Sequence, residues 1–303
     1  MNYYQFRMIT KKYMSQEEHS NCLAAINAHE RDAFIKFYDV GHRYEITIDP
    51  ADDGTKKYTS VTTWNHGHFP KFDADKVISQ IFNGRKWNKT NKYWGLTATQ
   101  IKDMWNKNGQ SVAQAGTDMH YQIECFMNTV IPDFDETSSV THADLLAHYE
   151  ATVDLDVAVS EEWGFFLQFV KDHPDFIPYR TEWTIFDETV RVAGSIDMIY
   201  LNDDGSLSIY DWKRCKDINP ENDWNKFATN PIISHIPDTN YWHYTLQLNT
   251  YKKLLERCYG VQIRDLVLVR LHPDNVDKTY ELIEVPILSR EMESLFEQKL
   301  GII

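Results

Sequence analysis

The sequence predicts an α/β protein in which helices flank a central mixed β-sheet. From residue 111 onward the patterns run helix, three strands, helix, strand, strand, helix, an order typical of a sheet covered by helices. The segment 191–213 supports the same prediction, because two runs rich in Ile, Tyr, Leu and Val flank Asn202-Asp-Asp-Gly205. Two such runs joined by a tight turn predict a β-hairpin at the centre of the fold.

Length and composition allow a substantial core. The chain has 303 residues, of which 42% are hydrophobic and 14% aromatic, so it fits one large domain or one core domain with an appendage. The formal net charge of −14 argues against a protein that binds polyanions through its overall field. A nucleic-acid enzyme stays possible if its groove is locally basic and metal ions offset its acidic residues.

Cysteine spacing and hydropathy indicate a soluble intracellular protein. Cys22, Cys125, Cys215 and Cys258 are scattered without Cys-x-x-Cys spacing, which favours reduced thiols over a disulfide framework, a zinc finger or an iron–sulfur cluster. The first residues lack an apolar signal core, and no stretch approaches membrane-spanning length. We therefore expect no secretion and no membrane association.

The N-terminal third predicts small elements. Ser15-Gln-Glu-Glu18 has the capping-box pattern of a helix start. The runs 33–38 and 42–48 flank the turn Asp39-Val-Gly41 and predict a second hairpin. A helical stretch follows at 72–81.

Residues 83–108 combine basic and aromatic side chains, in contrast to the acidic remainder. Cations that meet phosphates and rings that stack on bases can hold a single strand of nucleic acid. The alternative is a helical subdomain with a tryptophan core and solvated lysines, and for most individual residues it is favoured. The candidate nucleic-acid-binding residues are Lys86, Trp87, Lys89, Lys92 and Trp94, together with Arg214 beyond the central hairpin.

The C-terminal part supplies the remaining elements. Apolar residues at helical spacing predict helices at 111–128, 159–172, 241–258 and 289–299, and strands are expected near 182–186, 266–271 and 280–285. The segments 132–141 and 214–240 are polar and are predicted to be loops. His120 and Glu124 share one face of the first helix, as Gln247 and Tyr251 do on the third.

The central hairpin brings three charged residues together. If Asp203, Asp204 and Gly205 form a three-residue loop with a positive φ at Gly205, Asn202 faces Ser206. Asp197 then faces Asp211, and directly opposed residues have Cβ atoms roughly 4.5–5.5 Å apart. Two carboxylates at this spacing can share a divalent cation, and Lys213 projects from the same face as Asp211.

A solvated hairpin face is the alternative for these charges. It is the weaker one, because Asp197 interrupts one apolar run and Asp211 with Lys213 ends another. Charges at positions where the pattern expects burial need partners or a metal. The hairpin therefore predicts a site.

Gly194-Ser-Ile-Asp197 followed by Asp211-Trp-Lys213 resembles the motif pair of the PD-(D/E)xK nuclease superfamily, in its RecB-like branch. Gly116-Thr-Asp-Met-His120 resembles the Gly-Thr-x-x-His motif of that branch, and Gln247-Leu-Asn-Thr-Tyr251 its Gln-x-x-x-Tyr motif. Ser60-Val-Thr-Thr63 is similar to a segment of the mitochondrial genome maintenance exonuclease group. Asp-x-Lys alone has little specificity, but four motifs in the expected order are specific.

The resemblance implies a restriction-endonuclease-like fold and a role for each matching residue. Asp197 and Asp211 would be metal ligands, with the main-chain carbonyl of Trp212 and with His120. Lys213 would orient or activate the attacking water and offset charge on the phosphate. Gln247 and Tyr251 would hold Lys213 or the substrate phosphate. Glu182 and Glu124 are further candidate acids, and a solvated strand end is the alternative for Glu182.

Cofactors and partners follow from the same resemblance. Mg²⁺ on carboxylates keeps waters that can supply the nucleophile, and a histidine ligand lets Mn²⁺ substitute. A lysine beside such cations is expected to have a depressed pKa. The scattered cysteines exclude the iron–sulfur cluster of some relatives, and without a Walker A sequence any helicase would be a separate protein. A polymerase or a recombination protein is another expected partner, in DNA replication, repair or recombination.

The resemblance predicts a metal-dependent deoxyribonuclease, an exonuclease on single-stranded or end-exposed DNA. Residues 1–110 would form an N-terminal hairpin and helical cap or groove wall, and residues 111–303 the nuclease core. The protein would work in the cytoplasm or in a DNA-containing compartment of the host cell. The alternatives are a structure-specific endonuclease and a catalytically silent relative that binds DNA or protein. A hydrolase of small substrates is disfavoured, because HExxH and Gly-x-Ser-x-Gly are both missing.

Overall fold

The computed structural model describes residues 23–38, 41, 43–48, 57–132, 134, 139–153, 159–222 and 225–303. The capping box expected at 15–18 and Cys22 lie outside these ranges. The described chain begins with the short helix α1 (Leu23–Ile26) and the antiparallel pair β1 (Ile35–Tyr38) and β2 (Arg43–Ile46). The predicted N-terminal hairpin is therefore confirmed.

A six-stranded mixed sheet forms the centre of the fold. Its strands are β3 (Thr59–Ser60), β4 (Ile177–Asp187), β5 (Val192–Leu201), β6 (Leu207–Lys213), β7 (Ile263–Arg270) and β8 (Glu281–Glu284). Strand β5 is antiparallel to β4 and β6, β6 is parallel to β7, and β7 is antiparallel to β8. The mixed sheet predicted from the sequence is confirmed.

The register of the central hairpin is the one expected from its turn. Met198 pairs with Tyr210 and Leu201 with Leu207, and the Asn202 N–H donates to the Ser206 carbonyl oxygen at 2.9 Å. Gly205 has a φ of +80°, which a glycine adopts without strain. Continuing this register by one residue places Asp197 opposite Asp211.

Helices cover the sheet and frame its site. They are α2 (Val61–His66), α3 (Ala74–Asn83), α4 (Ala98–Met127), α5 (His142–Thr152), α6 (Glu161–Asp172), α7 (Asn240–Cys258) and α8 (Ser289–Lys299). The expected start of α4 at residue 111 is wrong. The helix begins after Thr97, whose side chain caps the Gln100 N–H while the Gln100 side chain accepts from the Thr97 N–H. It thus crosses residue 110, and the division of the chain there stays a prediction.

Two apolar clusters lie on opposite faces of the sheet. Because strand side chains alternate, Ile209 packs in the cluster with α2, α7 and α8, whereas Tyr210 and Trp212 pack in the cluster with α4, α5 and α6. The three cysteines in the described ranges are free thiols. The site lies where strands β5 and β6 end their pairing.

Candidate active site

Strands β5 and β6 separate at the predicted acids. Strand β4 pairs with one edge of β5 along 192–201, so β3 at 192–193 and β6 at 198–201 share the other edge. Within the described ranges, residues 194–197 of that edge pair with no strand. The Trp212 N–H donates instead to the Asp197 carboxylate, at 3.0 Å from Oδ2. This separation opens room between the two strands beside Asp197.

Asp211 is the most deeply buried acid of the site. It is 1% exposed, and Lys213 Nζ forms an ion pair with its Oδ2. Burial, and next the charge of Asp197, raise the pKa of Asp211 to about 6, although Lys213 opposes the change. In the described part of the chain its Oδ1 has no hydrogen-bond partner. A buried carboxylate oxygen without a partner is costly, and a cation would satisfy it.

His120, Glu182 and Asp197 come together beside Asp211. One ligand atom from each lies within 4.8 Å of the others. The His120 Nδ1 is 3.5 Å from Asp197 Oδ2, and its Nε2 is 2.9 Å from the carbonyl oxygen of Trp212. Since that oxygen can only accept, Nε2 carries a proton, and Nδ1 is directed at the acids. We call these three residues, with Asp211 and Lys213, the acidic site.

Glu182 is held in an unusual backbone conformation. The pairs Thr181 with Met198 and Trp183 with Ile196 place it opposite Asp197. Its φ of +45° is sparsely populated for a residue with a side chain and stores strain. Its Oε2 accepts from Ser195 Oγ at 3.0 Å. Burial, and next the charge of Asp197, raise the pKa of Glu182 to about 8.

Glu124 also faces this group. It lies one turn after His120 on α4, and its charge contributes to the raised pKa of Glu182. In the chemistry of their donors the gathered residues fit a hard divalent cation, because they supply carboxylate oxygens and one imidazole nitrogen.

Helix α7 closes the site with Gln247 and Tyr251. The Gln247 amide donates to the Tyr251 hydroxyl at 3.1 Å, while Lys213 is held by Asp211 and by the ring of Tyr244. Burial raises the pKa of Tyr251 well above its usual value. Tyr251 packs on Gly194, where an added Cβ would lie 2.6 Å from Tyr251 Cε1. The Gly194 of the motif is therefore needed for helix α7 to approach the strand.

The charge environment of Lys213 differs from the one expected beside cations. Burial alone would lower its pKa, but the carboxylates of Asp211 and Asp197 outweigh burial and raise the pKa of Lys213. The carboxylates thus raise the pKa of Lys213, whereas metal ions beside it were expected to lower that pKa.

The basic residues lie away from the acidic site. We call residues 83–108 the basic segment. Trp87 is half-buried against Phe82 and Trp94, whereas Trp94 is 45% exposed. The exposed side chains of the predicted set also include Lys86, Lys89 and Lys92. Among the described residues, no hydrogen bond, ion pair or ring contact joins any of these five to the acidic site.

Arg214 is bound within the fold. Its Nε donates to the Glu162 carboxylate of α6 at 2.7 Å, and its side chain is 21% exposed.

Two residues of the site were not recognised in the sequence. Ser195 lies two residues before Asp197, so strand alternation could have indicated its place. Tyr244 lies three residues before Gln247, which puts both on one face of a helix.

Residues 99–300, more than half of the chain, match the family model described as the PD-(D/E)XK nuclease superfamily. The chain belongs to this superfamily. Nucleases of this superfamily hydrolyse phosphodiester bonds and generally use divalent metal ions. The RecB-like branch and the mitochondrial exonuclease group stay predictions.

Solved structures with weaker similarity are also known. SSO0001 is 20% identical over 41% of this chain and 50% of its own, with a TM-score of 0.22. A candidate exonuclease from Eubacterium rectale is 12% identical over 81% of this chain and 82% of its own, with a TM-score of 0.29. Comparison with curated protein sequences gave no significant match.

Within the described ranges, no helix of this nuclease is long and apolar enough to cross a bilayer.

Proposed function

We propose that the protein is a metal-dependent deoxyribonuclease that hydrolyses DNA from single-stranded or exposed ends. The observation that carries this proposal is the buried Asp211, which has an oxygen without a hydrogen-bond partner among the described residues and lies beside Asp197, Glu182 and His120. Burial and mutual repulsion disfavour the charged forms of these carboxylates. Such a group of acids is expected where a cation binds.

The cation would be held by Asp197, Asp211 and His120, with Glu182 as the further acid. The main-chain carbonyl of Trp212 accepts from His120 Nε2, on the side of the ring away from Nδ1, so it would join these ligands only after giving up that hydrogen bond. Mg²⁺ suits the carboxylates, and the imidazole allows Mn²⁺. When bound, the ion supplies an activated water and neutralises charge on the scissile phosphate.

The remaining residues act on the substrate and the water. Lys213, whose ammonium lies beside Asp211, orients the attacking water and offsets negative charge on the phosphate. Gln247 and Tyr251 form a hydrogen-bonded pair, and Tyr251 lies near Asp197 and Asp211, which supports a role in holding the phosphate. Their hydroxyl and amide would do so without adding charge.

The basic segment is proposed to hold the DNA strand. It contains six Lys and Arg residues and one Asp in a chain of net charge −14, so it is a local cationic region on an acidic protein. Exposed Trp94 offers a stacking surface, and Lys86, Lys89 and Lys92 are exposed for phosphates. The choice of DNA over RNA rests on the family alone.

The test is a cleavage assay on end-labelled single-stranded, duplex and circular DNA in Mg²⁺, Mn²⁺ or EDTA. The wild type should degrade linear strands in Mg²⁺ or in Mn²⁺. In EDTA it should leave them intact. Asp211→Ala should be inactive, and Asp203→Ala, in the exposed turn of the same hairpin, should be fully active. Equal cleavage by wild type and Asp211→Ala would refute the proposal, and efficient cleavage of circles would replace the exonuclease with an endonuclease.

A further inference from the structure

The ammonium of Lys213 has two neighbours of different kinds. One is the carboxylate of Asp211, with which it forms an ion pair. The other is the aromatic ring of Tyr244, whose centroid lies 4.4 Å from Lys213 Nζ. The Lys213 side chain is 14% exposed, so both contacts form largely out of water, where a cation and a ring attract each other most strongly.

Tyr244 is well placed to hold its ring still. It lies on α7, one turn before Gln247 and two turns before Tyr251, and so belongs to the helix face that closes the site. Its ring packs on the cluster between α7 and the sheet. Its hydroxyl lies near the thiol of Cys215, two residues after Lys213. The ring is therefore held mainly by its packing between the helix and the sheet.

The two contacts of Lys213 have different consequences for a cation at Asp211. A carboxylate that binds a metal cation attracts an ammonium less strongly, and the metal cation itself repels the ammonium. An aromatic ring attracts the ammonium through its quadrupole without competing for the metal. The Tyr244 ring would therefore still attract the Lys213 ammonium when Asp211 is a metal ligand.

We propose that Tyr244 is a positioning residue for phosphodiester cleavage, and that its ring fixes the ammonium of Lys213 beside Asp211. The proposal rests on the proposed nuclease function. It concerns the π face rather than the hydroxyl, so Tyr244→Phe should preserve the role and Tyr244→Leu should remove it. Tyr241 is a matched control, because it lies on the same helix, packs against the same cluster and meets Trp242 edge to face, with ring centroids 5.1 Å apart.

The kinetic experiment measures cleavage of labelled single-stranded DNA in Mg²⁺. Tyr244→Leu should lower kcat about tenfold with a KM within about twofold of wild type. Tyr244→Phe and Tyr241→Leu should stay within about threefold of wild type. In a Lys213→Met background, Tyr244→Leu should cause no further loss, because the ring then has no ammonium to hold. Equal losses in both backgrounds, or a loss in Tyr244→Phe as large as in Tyr244→Leu, would overturn the proposal.

A second measurement needs no activity. Reductive methylation of the whole protein, followed by mass spectrometry of the Lys213 peptide, reports how well the amine is held. Lys213 should react several-fold faster in Tyr244→Leu than in wild type, Tyr244→Phe and Tyr241→Leu, while thermal melting confirms that all four are folded. Equal reactivity in the folded variants would refute the proposal. If the wild type cleaved no DNA, the nuclease function would fail, and the methylation rates would still decide the role of Tyr244.

Discussion

The acidic site and the basic segment are built in opposite ways. Residues of the acidic site come from α4, β4, β5 and β6 and are separated by up to 93 positions in the chain, from His120 to Lys213; they are buried or half-buried. The basic segment is one continuous stretch whose lysines, apart from the half-buried Lys102, face solvent. The first therefore depends on the whole fold, and the second on local helical structure.

Helix α4 joins the two regions. Its beginning packs with Ile78 and Tyr93 through Ile101, and its later part supplies His120. All nine residues from 106 to 114 between them are exposed. A helical stretch that is polar on every side is typical of a bridge through solvent. Changes in one region should therefore have little effect on the other.

The largest effect is expected from Lys213→Met, which keeps the length of the side chain and removes its charge. Cleavage at saturating DNA should fall about a thousandfold, because a charge placed at the reacting phosphate contributes several kcal/mol. DNA affinity, measured by fluorescence anisotropy in EDTA, should change little. Lys171→Met, on the exposed side of α6, is the control, and a parallel loss of affinity and rate in Lys213→Met would contradict the separation of the two regions.

The reverse pattern is expected when three exposed lysines of the basic segment are changed. The triple variant Lys86→Gln, Lys89→Gln and Lys92→Gln should bind single-stranded DNA about a hundredfold more weakly at 0.1 M salt, and its salt slope should fall by about 2. The cleavage rate at saturating DNA should stay that of wild type. The paired change Lys171→Gln and Lys299→Gln, outside the segment, should leave the slope unchanged; an unchanged slope in the triple variant would remove the basic segment from the proposed DNA path.

Acid should weaken the core on which the acidic site depends. Burial lowers the pKa of His142 to about 3 from its usual 6.5. The Nε2 of its ring forms a hydrogen bond of 3.0 Å with the Tyr200 hydroxyl. In the unfolded chain His142 is therefore protonated below about pH 6.5, whereas in the folded protein it stays neutral down to about pH 3. Stability is complete above that window and is lost as the pH falls through it, by about 2 kcal/mol between pH 7 and pH 5.

Urea unfolding of wild type and His142→Gln at both pH values measures this loss. The variant is expected to be less stable at pH 7 but to lose less on acidification. An identical pH dependence in the two proteins would exclude His142 as its source.

The smallest effect separates two tryptophans of the basic segment. Trp94→Ala should weaken single-strand binding about tenfold, as for one lost stacking contact, with little change in melting temperature. Trp87→Ala should instead destabilise the segment, because that ring is packed against Phe82. Circular dichroism melting together with binding measurements distinguishes the two, and equal affinity losses without destabilisation would show that both rings stack on the strand.

The sequence could predict the elements whose patterns are strong. The central hairpin, its register and the helices at α7 and α8 follow from apolar periodicity and from the turn at Gly205. The first half of α4 was not predicted, because its apolar stripe, which includes Ile101 and Trp105, is short and is followed by nine exposed residues from 106 to 114. Helix α5 was missed although Leu145, Leu146 and Tyr149 recur at helical spacing, because this apolar face spans little more than one turn of a helix and its burial depends on partners from α6 and the sheet.

The candidate site was predicted in part. Motif spacing brought Asp197, Asp211 and Lys213 together, and the resemblance added His120. The sequence could not predict the strained backbone of Glu182 or the contact of the Lys213 ammonium with the Tyr244 ring. Both arise from contacts between elements that local patterns do not specify. The wrong start of α4 had no influence on the site, since His120 lies in the half that was predicted.

The central claim is that the buried acids form a divalent cation site, and titration of the protein with Mn²⁺, followed by calorimetry or by the EPR signal of free Mn²⁺, tests it most directly. Wild type and Asp203→Asn should bind Mn²⁺ at the same site with the same affinity, and Asp211→Asn should lose it. Binding of equal strength by Asp211→Asn and wild type would contradict the claim.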